Sequence, residues 1–501
     1  MWYDLAGLAQ EEHSCLDFTR CYPFVRAEYQ ASCVGVTLRV RGSGSLKLEL
    51  KSPNGSILWW AIRDLPAGDD WQELAFSWSP ADLREVKSLS WAVEPEAQPC
   101  VDYVRLHIAF PPGLAFAERV FLLSYAKVAR CYSRGDGIVR DHAHLPAGVF
   151  DSVPAAGLFC LATCAAWKMG MVKRALAEQI LRKTHAAVSR LPRAMGLLPH
   201  FIQKHGDGHE ICAGAEYSSL GTSLYYHGMF LAAQMLWDAE TLAGLTAAVR
   251  EIEFDQLRDV EGYVLQGLKA DGRTPLGTSW RDWGGETALV LLLESMALGD
   301  RAMLKMDGSG KVRDGVGFIA EIQSLFYPDF SLDEPDAVTG VNWLQARRSL
   351  LAEQKAYFVE RCPKSTAAKA GLYGLSAGAG PGGAGCVESG TRTRERAELI
   401  HPHYVLMSGL LEPDPNAVYS VLGAMEEHDL LPPWGMVENF TKDLDAYLPM
   451  LGSLHGAFEC ISAHHLWAKA TGEPDHIYAA VEDCGLLREA VRAFYPPTKH
   501  W

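Results

Sequence analysis

The sequence has no hydrophobic run long enough to cross a membrane. A transmembrane helix needs about 20 consecutive apolar residues, and the nearest candidate, around residues 288–298, is interrupted by Glu294. That stretch is typical of a buried helix. The first residues, MWYDLAGLAQEEHS, also lack the basic and apolar segments of a secretory signal. We therefore expect no membrane partner and a cytoplasmic location, unless a signal has been removed.

Paired cysteines are missing as well. The chain has 12 cysteines, but none lies in a CxxC motif, and Cys160 and Cys164 share one helix face inside an apolar run. In such a setting small core residues are far more common than metal ligands. The sequence therefore predicts no metal site, and the missing pairs agree with a reducing compartment.

Several motifs that identify a cofactor site or a catalytic nucleophile are absent. No nucleophile elbow, P-loop, zincin or dinucleotide-binding motif occurs. The GDGHE stretch at 206–210 lacks the second histidine of a zincin, and AGAGPGGAG at 377–385 follows no clear strand. We expect no cofactor.

Positive charge is scarce too. The chain has 61 acidic against 46 basic residues and a net charge of -15, so its field repels phosphate backbones and anionic lipids. Nucleic acid is excluded as an expected partner. Whether copies of the chain form a homo-oligomer stays open.

What is present is an ordinary globular composition in a long chain. Apolar residues make up 48% and charged residues 21% of the 501 positions. A single hydrophobic core rarely exceeds about 250–300 residues. We therefore expect at least two folded units.

The first part of the chain alternates between apolar and polar residues. From 28 to 110 this period of two is interrupted by GSGS and PNGS, which are turn signals between strands. Many short strands need two facing layers to bury their apolar sides. The sequence predicts an antiparallel β-sandwich of jelly-roll character over 1–112, as an accessory domain.

Beyond Pro111-Pro112-Gly113 the periodicity becomes helical. Long loops rich in glycine, aromatics and acids separate the helices, and such loops usually carry function. A ring of helical hairpins over 113–501 would gather them at one mouth. Carboxylates beside aromatic rings suit sugar chemistry, because glycosidic cleavage uses two carboxyl groups and indole rings pack on sugar faces. The chain has 14 tryptophans.

The densest acidic and aromatic stretch is GTSWRDWGGE. It contains Trp280, Arg281, Asp282, Trp283 and Glu286. Asp282 could equally cap the following helix, with Glu286 in its first turn near the helix dipole. Both interpretations stay open at this point, and capping does not exclude contact with a substrate.

Three further acids lie in such loops. Glu216 comes just before a predicted helix, where it could simply interact with the helix dipole. Asp141 could merely end a turn or pair with Arg140. Glu438 follows a restrained PPWG turn, and a buried acid there needs a partner or a function. His401 could line a pocket, but a His-x-His pair alone does not predict a metal site.

The helical part resembles the bacterial glycoamylase-like family that includes endo-β-1,2-glucanases. The resemblance rests on the order and spacing of several stretches between about 115 and 490. These are DGIVRD, MGLLPHFI, AEYSSLGTSLYYHGMFLAAQML, WRDWGGETALVLLLESMALGD, LYGLSAG and WGMVENFTKD. One departure is Gly221, where the family usually has an acid, and it leaves the linkage specificity open.

This resemblance implies an (α/α)6 toroid with a central sugar cavity and glycoside hydrolysis without a metal. It implies catalytic carboxylates at Asp141, Glu216, Glu286 and Glu438, with acid and base not distinguished. We expect an oligo- or polysaccharide partner, and the wider set of predicted substrate-binding residues is Arg140, Tyr217, Trp280, Arg281, Asp282, Trp283, Trp343, His401, Trp434 and Asn439.

The leading hypothesis is an inverting glycoside hydrolase acting on a β-glucan or a related bacterial oligosaccharide. Two alternatives keep the same toroid: a transglycosylase or polysaccharide lyase, and a carbohydrate-binding protein without catalysis. A lyase would need a histidine or tyrosine base beside cationic residues. The loops of this chain are mostly acidic.

Overall fold

The computed structural model divides into two compact units. It describes residues 22–52, 54–79, 88–93, 100–143, 148–206, 208–281, 284–307, 315–380, 383, 385–393, 398–432 and 435–496. Unit 1 comprises Met1–Ala115 with Pro432–Trp434, and unit 2 comprises Phe116–Leu431 with Gly435–Trp501. Across the described ranges, no helix has the length and apolarity needed to span a bilayer.

Unit 1 contains a four-stranded antiparallel sheet built around its first strand. The strands are β1 (Ser32–Lys51), β2 (Ile57–Ser77), β3 (Ser88–Val93) and β4 (Cys100–Ala109), and β1 pairs with each of the other three. Alternate β1 side chains are fully buried, at Val36, Leu38 and Val40 and again at Leu46, Leu48 and Leu50. This period of two is the expected result of strand geometry.

The glycines of the GSGS stretch do not form the predicted turn. Gly42 and Gly44 have φ values of 126° and 99° and lie at register shifts inside β1, which continues through them. Glycine accommodates such bulges, so the strand bends without ending. In the PNGS stretch, the described residues 54–56 lie in the turn between β1 and β2, where the Gly55 N–H donates to the Ser52 carbonyl at 2.9 Å. Within the described ranges the four strands are hydrogen-bonded as one sheet, and the two-layered sandwich over 1–112 stays a prediction.

Unit 2 is helical, as the sequence predicted. Its helices are α1 (Phe116–Ala129), α2 (Val153–Lys168), α3 (Arg174–Val188), α4 (Ser219–Leu236), α5 (Ala239–Arg250), α6 (Gly285–Leu298), α7 (Gly317–Glu321), α8 (Trp343–Arg361), α9 (Thr366–Ala370), α10 (Pro402–Ser408), α11 (Asn416–Glu427), α12 (Ser453–Thr471), α13 (His476–Asp483) and α14 (Gly485–Arg492).

The helices of unit 2 fall into two groups by burial. Helices α2, α4, α6, α10 and α12 are buried around most of their circumference, whereas α3, α5 and α11 bury one face. A helix that is apolar all round belongs inside a core. The contacts follow the order α2–α4, α4–α6, α6–α7, α7–α10, α10–α12 and α12–α2.

Close helix approach depends on two glycines where α2 meets α4. A Cβ at Gly157 would lie 2.3 Å from the Tyr225 carbonyl oxygen, and one at Gly228 would lie 2.6 Å from the backbone of Gly157. No other residue fits there without displacing a helix, because the facing atoms are backbone.

Short strand pairs stand directly before several of the buried helices. They are β5 (Asp151–Ser152) with β6 (Phe201–His205) and β7 (Gly208–Ile211), β8 (Glu216–Ser218) with β9 (Gly267–Lys269), β10 (Ala377–Ala379) with β11 (Cys386–Glu388), and β12 (Leu399–Ile400) with β13 (Asn439–Thr441) and β14 (Tyr447–Leu448). Strand β5 leads into α2, β8 into α4 and β12 into α10. The acidic loops therefore lie at the N-terminal ends of buried helices.

Candidate functional site

Asp141 lies beside the N-terminus of helix α12. Its backbone oxygen accepts from the Ser453 N–H at 2.8 Å, at the start of α12. Its carboxylate bonds the Nδ1 of the adjacent His142 at 3.0 Å, and the Asp141 side chain is 27% exposed. The acid is thus held by a neighbouring histidine and still reaches solvent. The predicted pairing with Arg140 is replaced by this contact.

Glu216 has the same arrangement at the entrance to α4. His200 Nδ1 donates to Glu216 Oε1 at 2.6 Å, and the Glu216 side chain is 26% exposed. Burial raises the pKa of Glu216, but the hydrogen bond from His200 and the charge of its ring outweigh burial and hold the pKa below its usual value. The helix itself is capped by Ser218, which accepts from Gly221 N–H. Glu216 therefore does not cap this helix.

Aromatic rings connect these two acid–histidine pairs. His200 stacks on Phe201 with centroids 4.0 Å apart, Phe201 meets Phe150 at 4.8 Å, and Phe150 meets His142 edge-on at 6.3 Å. The backbone supports this contact, because Phe150 and Phe201 lie on or beside the paired strands β5 and β6. Asp141 and Glu216 thus belong to one continuous surface with an aromatic wall between them.

Glu438 is a buried acid rather than an exposed one. Its side chain is 1% exposed, and its Oε1 accepts from Nδ1 of His455 in the first turn of α12. The carboxylate lies against Gly452, where a Cβ would come within 2.9 Å of Oε2. Gly452 directly precedes Ser453, which binds the Asp141 backbone. Glu438 therefore sits immediately behind Asp141.

A lysine and a second glutamate lie behind Glu438. Lys127 Nζ is 2.8 Å from Glu459 Oε1 and 3.2 Å from Glu438 Oε2, and all three side chains are essentially unexposed. Burial raises the pKa of Glu438, but the charges of His455 and Lys127 outweigh it and hold the pKa well below its usual range. Burial instead raises the pKa of Glu459 to about 7. The pKa values of these two adjacent carboxyl groups are thus shifted in opposite directions.

His401 lies under the glycine-rich hairpin and has no exposed surface. Its side chain is fully buried, and a Cβ on Gly378 would lie 2.6 Å from its ring. Burial lowers the pKa of His401 to about 3. His403 is buried beside it and bonds Ser376 Oγ at 2.9 Å. The prediction that His401 shapes a sugar subsite is therefore wrong, because strand β10 covers the ring.

Glu286 approaches the same region from helix α6. It stands in the first turn of α6, whose N-cap residue is Gly284. Cys386, on strand β11, is an exposed residue, and partial desolvation together with the charges of Glu388, Glu438 and Glu286 raises the pKa of its thiol. Glu286 and Glu438 thus both lie within electrostatic range of this thiol.

Arg281 belongs to a surface network instead. Its guanidinium bonds Asp259 Oδ2 at 2.7 Å and Glu261 Oε1 at 2.8 Å and lies over the Tyr263 ring. Trp280 donates from Nε1 to Ser219 Oγ at 2.8 Å. These contacts bind the loop to itself and to α4, so they explain both residues without a substrate. Asp282, Trp283 and Trp434 lie outside the described residues.

The remaining predicted binding residues differ in exposure. Trp343 is fully buried and donates to Asp336, so the prediction that it contacts a sugar is wrong. Asn439 is buried and donates to the Ala379 carbonyl at 2.7 Å, which fixes the glycine hairpin. Tyr217 is 6% exposed within β8. Arg140 is exposed beside Asp141.

Sequence reasoning missed the histidines and the buried ion pair. His142 could have been found, because it directly follows Asp141. His200 and His455 lie 16 and 17 residues from their acids, and Lys127 lies 332 residues from Glu459. Nothing in a single sequence links residues at such separations.

A cavity of about 730 Å³ lies elsewhere, lined by Ser295–Leu298 and residues of α14. It is at the C-terminal end of α6, opposite Glu286, and is therefore not this site. In the described ranges, no three side chains of histidine, cysteine, aspartate or glutamate come together as a metal site would require. The acids themselves can exchange protons and bind sugar hydroxyls.

Comparison with known proteins identifies the fold. No protein-family model matches the sequence, and the comparison with curated proteins gives no match. The endo-β-1,2-glucanase of Chitinophaga pinensis, solved with sophorotriose and glucose, aligns with a TM-score of 0.60 at 10% identity, over 76% of this chain and 98% of that one. The β-1,2-glucanase of Parabacteroides distasonis gives 0.61 at 10% identity, over 94% and 90% of the two chains.

Identities this low establish shared architecture and nothing finer. The resemblance that the sequence motifs indicated is confirmed at that level: this chain has the fold of the β-1,2-glucanase structures.

Proposed function

We propose that this chain is a glycoside hydrolase that cleaves β-1,2-linked glucan, with Asp141 and Glu216 as the working carboxylates. The observation that carries the proposal is the continuous surface on which both acids lie, each held by a histidine and each about one quarter exposed. The glucanase fold supports the choice of substrate. Unit 1 acts as an accessory domain in this proposal.

We place this surface at the mouth of an (α/α)6 toroid. The contacts among α2, α4, α6, α7, α10 and α12 return to their starting point, as expected for a closed ring. Each of these helices also has a further helix packed on it: α3, α5, α14, α8, α11 and α1, respectively. Loops before the inner helices would then converge on the central hole, where Asp141 and Glu216 lie.

The two exposed acids divide the chemistry between them. One carboxyl group protonates the leaving glycosidic oxygen while the other carboxylate activates water, and the histidines hold each group in place. An inverting reaction is proposed, in which about 6.5–9.5 Å between the carboxyls admits the attacking water. Glu438 is too buried to contact a sugar, so any effect that it has on the substrate is indirect. Glu286, in the first turn of α6, is a further candidate carboxylate.

The test is reducing-end release from a panel of β-1,2-, β-1,3-, β-1,4- and α-1,4-glucans. We expect activity on β-1,2-glucan and a loss of at least about 100-fold in kcat for Glu216→Gln and for Asp141→Asn. Glu178→Gln is the matched control, because Glu178 forms a surface pair with Arg174 on α3. Proton NMR of the first anomer released checks inversion.

Each alternative has its own outcome in this experiment. Binding without cleavage would indicate a carbohydrate-binding protein, whereas longer products would indicate a transglycosylase and unsaturated products a lyase. If neither acid substitution lowers the activity on the best substrate, the site assignment is wrong.

A further inference from the structure

His455 lies at the edge of the buried cluster behind Asp141. Its side chain is 16% exposed, whereas those of Glu438 and Lys127 are 1% and 0% exposed. It stands in the first turn of α12, two residues after the Ser453 that binds Asp141. The imidazole is thus the part of the cluster that reaches the surface carrying Asp141.

The orientation of this ring is fixed from two sides. Nδ1 donates to the Glu438 carboxylate, and the ring stacks on His403 with centroids 4.2 Å apart and planes 17° apart. His403 is itself held by Ser376. Turning the His455 ring would leave a buried carboxylate without its hydrogen bond, which costs free energy. One ring nitrogen therefore always faces inward and the other outward.

The outward nitrogen, Nε2, has no hydrogen-bond partner in the part of the chain that the structure describes. The adjacent ring atom Cε1 is 3.1 Å from where a Cβ on Gly378 would lie. A side chain at 378 would cover this ring edge, and glycine leaves it open. An oriented imidazole nitrogen therefore lies between the β10–β11 hairpin and the Asp141 loop.

The charges around the ring keep its inner partner ionised. Lys127 faces Glu438 from α1, and Glu459 faces Lys127 from the next turn of α12. His403 and His401 approach from α10 and the residue before it. An ionised Glu438 requires a proton on Nδ1 of His455. Neutral His455 then offers Nε2 as an acceptor, and protonated His455 offers it as a donor.

We propose that His455 is a substrate-positioning residue of the glucan site: Nε2 hydrogen-bonds a glucosyl hydroxyl while Nδ1 is held by Glu438. This inference rests on the proposed function, because it takes the bound sugar from it. Glu438 then contributes to sugar binding through His455, although no sugar can reach the carboxylate itself.

Two substitutions separate this role from a purely structural one. In His455→Asn the amide nitrogen replaces Nδ1 and keeps the bond to Glu438, but nothing replaces Nε2. In His455→Gln the amide replaces Nε2, and the bond to Glu438 is lost. We expect His455→Asn to raise KM for β-1,2-glucan, and Kd for β-1,2-linked glucotriose by calorimetry, about tenfold with an unchanged melting temperature.

His455→Gln should show the reverse pattern, with Kd within about threefold of wild type and a lower melting temperature. His465→Asn is the matched control on the same helix. His465 also bonds a carboxylate, Asp475, through Nδ1 at 2.6 Å, but its Nε2 bonds the Leu325 carbonyl at 3.0 Å. This variant should lose stability without any change in KM.

A wild-type KM and Kd for His455→Asn would overturn the inference and leave the proposed function standing. If the wild-type chain neither binds nor cleaves any glucan of the panel, the proposed function fails and this inference fails with it. Binding of glucotriose without cleavage still decides the role of His455, because Kd is measured independently of turnover.

Discussion

The two sides of the candidate site use the same pair of residue types at different depths. Asp141 and Glu216 each bond a histidine and remain partly exposed. Glu438 also bonds a histidine, but it is buried against Lys127. Burial therefore decides what each acid can do. An exposed carboxylate can contact a substrate, whereas a buried carboxylate must be neutralised by neighbouring charges.

The largest expected effect lies on the buried side. Lys127→Met leaves Glu438 and Glu459 without their shared cation, and breaking a buried ion pair typically costs about 3–5 kcal/mol. The free energy of unfolding from urea denaturation should fall accordingly. Lys355→Met, which removes an exposed partner of Glu412, should cause a far smaller loss.

The double variant Lys127→Met/Glu459→Gln completes this test. It should lose less stability than the sum of the single variants, because the residues share one interaction. If Lys127→Met lowers the free energy of unfolding no more than Lys355→Met does, burial of the ion pair makes no difference to its contribution to stability.

A pH titration sharpens the contrast. The pKa of Glu459 is raised by burial from 4.5 to about 7, so its contribution to stability is fully present below pH 4.5 and is lost as the pH rises to about 7. Relative to Glu459→Gln, the wild-type unfolding free energy should fall by up to about 3 kcal/mol across this window. Glu438, whose pKa is lowered, acts oppositely and loses its contribution below pH 4.5. If the difference in unfolding free energy between wild type and Glu459→Gln does not change with pH, Glu459 is not buried as the structure describes it.

On the exposed side, the effect appears in the activity profile. His200→Gln removes the ring whose hydrogen bond and charge hold the pKa of Glu216 below its usual value. The limb of the kcat/KM profile that reports Glu216 should then move to higher pH. His205→Gln serves as a control, because that histidine is largely exposed and lies 3.8 Å from Glu210. An unmoved profile would mean that His200 does not set the protonation of Glu216.

The smallest effect is expected at Arg281. Its partners Asp259 and Glu261 lie in an exposed loop network, and such surface pairs contribute little to stability. Arg281→Gln should leave kcat and the melting temperature close to wild type. A strong loss of kcat would instead support the prediction that Arg281 binds the substrate.

Part of the site was predictable because it depends on local pattern. Glu216 and Asp141 were predicted from acids placed before helices in aromatic loops, and helix starts are visible in apolar periodicity. Trp343 was misassigned, because its burial against Phe330 and its hydrogen bond to Asp336 come from packing and not from the local pattern.

The sequence by itself determined the strand-rich first part, the helical remainder and the position of the acids at helix entrances. These properties follow from backbone periodicity and from side chains that alternate every 2 or 3.6 residues. Only the tertiary structure decided which histidine holds which acid, and which acids stay exposed. Those outcomes depend on which helices become neighbours, and the contact between Lys127 and Glu459 exists only because packing brings α1 against α12.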